Sequence, residues 1–173
     1  MFDDETWHKM EQMQTLGNES LQGEDLDLFC TKMMRHPLQV MQYKVDRILG
    51  KVESVPAFDQ LKIFIHDAHD TSMLLLLRWL QASNITYPQP TRYGSQVVFE
   101  LFYSQQCLSQ EDKTVEELED ECFSVQVLFD AKVLEFADFC ADPAFCRFSE
   151  FINYVGNEIV YKGPHSDDLW EAC

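Results

Sequence analysis

Four side chains that can move protons or bind metals and anions fall between positions 66 and 70: His66, Asp67, His69 and Asp70. Thr71 and Ser72 add hydroxyls directly after them. Ahead lies the apolar run Leu61-Lys62-Ile63-Phe64-Ile65, and behind lies a Leu-rich stretch from Met73 onward. This order predicts a short strand, a polar corner and a helix from about 71 to 82. The first turn of such a helix offers unpaired N–H groups and the positive end of its dipole, which suits an anion. A phosphate seated there could accept a hydrogen bond from His69 while Asp70 gives a proton to a leaving oxygen. A plainer reading makes Asp70 a helix N-cap and His69 a polar corner residue. A third makes the four residues metal ligands, as in helical phosphohydrolases. The strand-like run at 61–65 argues against a metal, because that chemistry places its His-Asp dyad within helices.

Other catalytic patterns are missing. There is no Gly-x-Ser-x-Gly elbow and no Gly-rich phosphate loop. His8 reads as helix surface, His36 as the residue before a helix-opening Pro37, and His165 as part of an irregular tail.

The corner needs elements to hold it. Helical spacing of Trp7, Met10 and Met13 predicts a helix over 4–16, ended by Gly17. Residues 24–35 repeat the pattern, and Pro37 is expected to open a third helix that runs to about Glu53, where Val55-Pro56 breaks it. Leu61–Ile65, apolar on both faces, suits a strand inside a covered sheet. A Pro-containing loop fills 83–93, and Ser95–Tyr103 is β-branched and aromatic, as strands are. Residues 111–121 read as a solvated acidic connector. Cys122–Asp130 alternates and should pair antiparallel with Ser95–Tyr103. Phe145–Val155 reads as a last amphipathic helix. A strand covered on both faces needs strand neighbours on each side, and the chain is short of them.

The 173 residues suffice for one domain with a core. Hydrophobic residues make up 46% of them, which argues for a folded chain. A net charge of −17 disfavours nucleic acid and anionic membrane surfaces as partners. The longest apolar run, Met73 to Leu77, is far too short to span a membrane. The acidic start, Met1 to Glu5, does not read as a signal peptide, so the chain is either soluble as given or cut from a longer precursor. Six cysteines without a C-x-x-C pair disfavour zinc-ribbon and thioredoxin readings. Cys140 and Cys146 bracket a short loop, which favours a local disulfide. Two glycosylation acceptors, Asn18-Glu-Ser and Asn84-Ile-Thr, join the cysteines in pointing to a secreted or lysosomal protein.

Ala68-His69-Asp70-Thr71 after an apolar run resembles the second signature of the histidine acid phosphatases. Tyr93-Gly94-Ser95 followed by Val98-Phe99-Glu100-Leu101 is similar to the family's next strand, and Val125 to Phe129 to the one after it. Cys140 through Cys146 with Phe148-Ser149-Glu150-Phe151 resembles the family's C-terminal cysteine pair and helix. The resemblance covers roughly residues 5–173 and implies an α/β fold: the C-terminal part of a phosphoglycerate-mutase-like three-layer sandwich. Residues 1–55 then correspond to the end of a helical cap and 56–173 to the phosphatase domain proper. It further implies acid phosphomonoester hydrolysis through a phosphohistidine, with no cofactor and no metal. His69 takes the role of phosphate contact and Asp70 that of general acid. The family's nucleophile lies in an Arg-His-Gly-x-Arg-x-Pro motif that has no match here, since Arg35-His36 is followed by Pro37-Leu38. The chain therefore reads as a C-terminal half, inactive alone, whose partners are a phosphomonoester substrate and the missing N-terminal half. By the same resemblance Cys173 lacks its native partner. The alternative is a non-catalytic binding or interaction protein that keeps the corner without the nucleophile.

Overall fold

The computed structural model describes residues 24–86 and 91–158. The expected helix at 4–16, the Asn18 acceptor, the tail and Cys173 lie outside the described residues. The described elements are α1 (Glu24–Ile48), α2 (Pro56–Asp59), α3 (Asp70–Leu80), β1 (Val97–Tyr103), α4 (Gln105–Leu108), α5 (Val115–Cys122), β2 (Phe123–Phe129), β3 (Lys132–Val133), β4 (Cys146–Arg147) and α6 (Phe148–Asn153). A π-helical turn, Tyr154–Glu158, continues α6. The fold is thus mixed α/β, with helices around a small open antiparallel sheet.

The sheet forms as alternation predicts. β1 and β2 pair antiparallel from Val97↔Phe129 to Tyr103↔Phe123. β2 is central, because β3 and β4 share its other edge. Phe123, Val125, Val127 and Phe129 all point to the buried face, as a period of two requires. Phe151 of α6 lies against this face, with Phe99 and Phe136 rings on it at 6.2 and 6.1 Å. Asp130 and Ala131 form the two-residue turn into β3, both with positive φ (48° and 63°), the conformation of a type I′ hairpin. The Asp130 carboxylate accepts from Ser95 Oγ and from the Gln96 N–H, both at 2.9 Å, and so ties this turn to the start of β1.

Three expectations upstream of the sheet are corrected. The two helices expected at 24–35 and from Pro37 are one helix, α1, with Pro37 inside it. Proline removes one N–H and crowds the carbonyl four residues before it, and burial of Leu26, Cys30, Met34, Leu38 and Val45 on one face holds the helix through that point. α1 also stops at Ile48, before the expected Glu53. Gly50 takes φ +71°, and Gly50 N–H and Lys51 N–H bond back to the Arg47 and Asp46 carbonyls, a Schellman termination. Pro56 opens the short α2, whose Asp59 accepts from Tyr43 Oη at 2.6 Å. Hydrogen bonds from Ser54 and Tyr43 and the nearby Arg47 hold the Asp59 carboxyl below the usual carboxylate range.

The third correction matters most. Leu61–Ile65 is not a strand, because residues 61–69 form neither strand pairing nor helix. Ile63 and Ile65 stand 75% and 83% exposed. Strand propensity is realised only through hydrogen-bonded neighbours. Among the described residues all strand partners belong to the β1–β4 sheet.

Downstream, the acidic connector contains a helix, α5. Thr114 caps it and Glu117 reaches back to the Thr114 N–H, a reciprocal capping box. Cys140 and Cys146 are bonded, as expected, and Cys107 and Cys122 form a second disulfide that spacing did not single out. That bond joins α4 to the last residue of α5, immediately before β2, within the long connection between β1 and β2. Cys30 is a free thiol, buried and pushed up to about 12 chiefly by that burial, and so unreactive.

Two stability tests follow from this geometry. The Cys107–Cys122 bond closes a loop of 15 residues. The Cys107→Ser/Cys122→Ser double variant is expected to lose about 2–4 kcal/mol in urea unfolding. Ala131 holds a left-handed conformation that glycine adopts freely. Ala131→Gly should raise stability by about 0.5–1 kcal/mol in the same measurement.

Candidate functional site

The site is built on α3. Leu75, Leu76, Leu77, Trp79 and Leu80 are all buried, and α3 packs on α1. Each fully buried large apolar side chain contributes roughly 1.5–3 kcal/mol. Interactions at a helix N-terminus are worth about 0.3–1 kcal/mol. The core face therefore decides where α3 lies, and the polar corner follows. Gln81, at φ 53°, ends the helix.

At the other end the N-cap is His69, not Asp70. His69 has extended backbone (φ −80°, ψ 160°) and no side-chain capping bond, and its carbonyl accepts the Met73 N–H at 3.1 Å. Asp70 is the first helical residue, and its Oδ1 accepts the Thr71 N–H at 2.8 Å. The N-cap reading of Asp70 is thus displaced by one residue. Its carboxylate still meets a first-turn N–H and the positive end of the dipole. From across the 83–93 loop, Thr91 Oγ1 approaches the Asp70 carbonyl at 3.5 Å. The exposed Arg92 follows Thr91 in sequence. No local pattern marked Thr91 or Arg92.

His66, Asp67, His69 and Asp70 are all exposed, with Ala68 half-buried between them. Among the described residues, no three of these ligand atoms gather within 4.8 Å of one another. The residues that do gather, Cys140, Cys146 and Glu150, include two sulfurs already bonded to each other and so unable to act as thiolates.

Phe64 connects the unpaired segment to α1. Its ring meets the His36 imidazole edge-on, centroids 5.1 Å apart. His36 lies inside α1, not between helices, and this contact keeps it in a structural place. Its neighbour Arg35 has Nε and Nη2 buried with no hydrogen-bond partner among the described residues.

Comparison with known proteins adds nothing to this geometry: no family model, no curated protein and no solved structure matches the chain.

The Asp70–Thr71 contact predicts an ordered series. Asp70→Ala should lower stability by about 0.5–1 kcal/mol, because it strips the first turn of an anionic acceptor. Asp70→Asn keeps an oxygen for the Thr71 N–H and should lose less. Thermal melts of the two variants check the order.

Proposed function

We propose that this chain carries the proton-donating half of a phosphomonoesterase site of the histidine acid phosphatase type. In this reading α3 and its preceding segment belong to a three-layer phosphatase sandwich whose other strands come from outside these 173 residues. The observation that carries it is the corner itself. Ala68-His69-Asp70-Thr71 sits at the start of a helix anchored by its apolar face, behind an apolar segment with unmet strand pairing.

The chemistry divides between two sets of residues. A nucleophilic imidazole, absent here, would bond to phosphorus as the P–O bond to the leaving alcohol breaks. Asp70 would donate a proton to that oxygen, and His69 would donate a hydrogen bond to the phosphoryl group. Water then attacks phosphorus and regenerates the imidazole. The reaction as written needs no metal. Among the described residues, the buried Nε and Nη2 of Arg35 have no hydrogen-bond partner, and an anion would supply one.

Two disulfides fit folding in an oxidising, non-cytoplasmic compartment. A lysosomal or secreted location belongs with the phosphatase reading. No described helix is long and apolar enough to cross a membrane.

One observation favours the rival, a non-catalytic interaction protein. Ile63 and Ile65 are exposed as a bare apolar strip, a surface suited to a partner strand.

Activity separates the two readings. The chain alone should release no phosphate from nitrophenyl phosphate in acidic buffer. Combined with an N-terminal half bearing Arg-His-Gly, it should become active. In that assembly Asp70→Asn should slow alkyl phosphates about 10²–10⁴-fold and nitrophenyl phosphate far less, because only the alkoxide needs a proton to leave. His69→Ala should slow both alike. An assembly that stays inactive would favour the interaction protein, and equal losses on both substrates in Asp70→Asn would show that Asp70 is structural.

A further inference from the structure

β1 is an end strand of the sheet, and its outer edge has no strand beside it among the described residues. The register decides which backbone groups lie on that edge. Asp130 N–H donates to the Gln96 carbonyl at 3.0 Å, and Ser104 N–H to the Cys122 carbonyl at 2.9 Å. Hydrogen-bonded positions alternate along an antiparallel pair. Val98, Glu100 and Phe102 therefore bond to β2, and Val97, Phe99, Leu101 and Tyr103 turn their N–H and C=O groups outward. Edge strands are commonly blunted by lysine, proline or a bulge. β1 has none of these: it reads Val-Val-Phe-Glu-Leu-Phe-Tyr and pairs with β2 in one unbroken register. The far margin of the described sheet is made by the two-residue strands β3 and β4, so β1 is its one long edge.

The strand also reads alike from both ends. Glu100 stands at its middle, with three apolar residues on each side. We propose that β1 pairs antiparallel with β1 of a second copy of this chain, about a two-fold axis at Glu100. In that register Val97 of one copy faces Tyr103 of the other, Val98 faces Phe102, and Phe99 faces Leu101. The first two set a β-branched residue opposite an aromatic one, a favourable cross-strand pair. Outward positions meet outward positions, so every donor and acceptor left on the edge is satisfied. A shift of one residue would set outward positions against inward ones, and a shift of two would leave part of each edge unpaired. A two-fold contact of this kind closes on itself and stops at the dimer.

Charge opposes the pairing and gives it a signature. Glu100 faces Glu100 across the axis, and each chain carries a net charge of −17. Like charges placed directly opposite destabilise a strand pair, and salt screens them. The dimer therefore tightens as salt is added. It does not rest on the phosphatase reading, and its failure would leave that reading untouched.

The test measures the full chain, with both disulfides formed, by sedimentation equilibrium over a range of protein and salt concentrations. A monomer–dimer equilibrium that moves toward dimer with salt is expected. Mixing wild type with Glu100→Lys should give more dimer than either protein alone, because opposite charges then face across the axis. Glu100→Cys should oxidise to a covalent dimer joined through position 100 of both copies. Opposed residues of a non-hydrogen-bonded pair lie about 4.5 Å apart at Cα, within disulfide reach. Leu101→Pro removes an outward N–H and none of the bonds to β2, so the dimer should be lost while the circular dichroism spectrum stays that of wild type. Should that variant fail to fold, the Glu100 variants still decide. A monomer at every protein and salt concentration would overturn the proposal and leave the edge to a strand of another protein. A dimer that shows neither the gain on mixing nor the cross-link at position 100 would also overturn it, because another surface would then join the copies.

Discussion

Burial of one face of α3 is the constraint on which the rest of the structure depends. Leu77 and Leu80 are completely buried and Trp79 nearly so, within one core that also takes in Leu26 to Val45 of α1 and the inner face of β2. α3 packs directly on α1, while α5 and α6 lie against β2. The same burial fixes the direction in which the first turn of α3 points. The chemistry-bearing residues are therefore held at an angle set by leucines some two turns away.

How much of this was legible depended on whether the deciding interaction was local. The β1–β2 pair was readable because alternation in Phe123–Phe129 and the aromatic run Val97–Tyr103 each state a face, and antiparallel neighbours close in sequence can satisfy each other. The Cys140–Cys146 bond was readable from its short loop, whereas Cys107–Cys122 depended on the folding of α4, which holds Cys107, and of a second helix that ends at Cys122. That helix, α5, had a written signal in Thr114 and Glu117, overlooked because the surrounding charge suggested a solvated loop. Pro37 misled in the opposite way. A strong local signal for a helix start was overridden by an apolar stripe that runs through it on both sides.

Leu61–Ile65 failed for a different reason, and it is the residue run closest to the site. Its composition states a strand, but a strand is a relation between segments, and no described segment offers the other half. The corner is in the same position. His69 and Asp70 stand at a helix start suited to an anion, yet the groups that would close a cavity over them are not among their described neighbours. Only the placement of the corner was legible, together with the identity of the helix that carries it. The one-residue displacement of the N-cap from Asp70 to His69 could not be read from types alone, since both are polar and adjacent.

The two disulfides have a topological consequence of their own. Both begin and end downstream of α3, at Cys107–Cys122 and Cys140–Cys146, while Cys30 in α1 is a free thiol. No described covalent bridge therefore crosses the exposed stretch 61–69. A protease that nicks this stretch would leave two pieces joined by non-covalent contacts alone: the buried side chains between α1 and α3, and Gln42 and Lys51 bonded to Glu119 of α5. The backbone there is the one covalent thread between the helical segment and the cross-linked half, and it runs through the residues closest to the proposed chemistry.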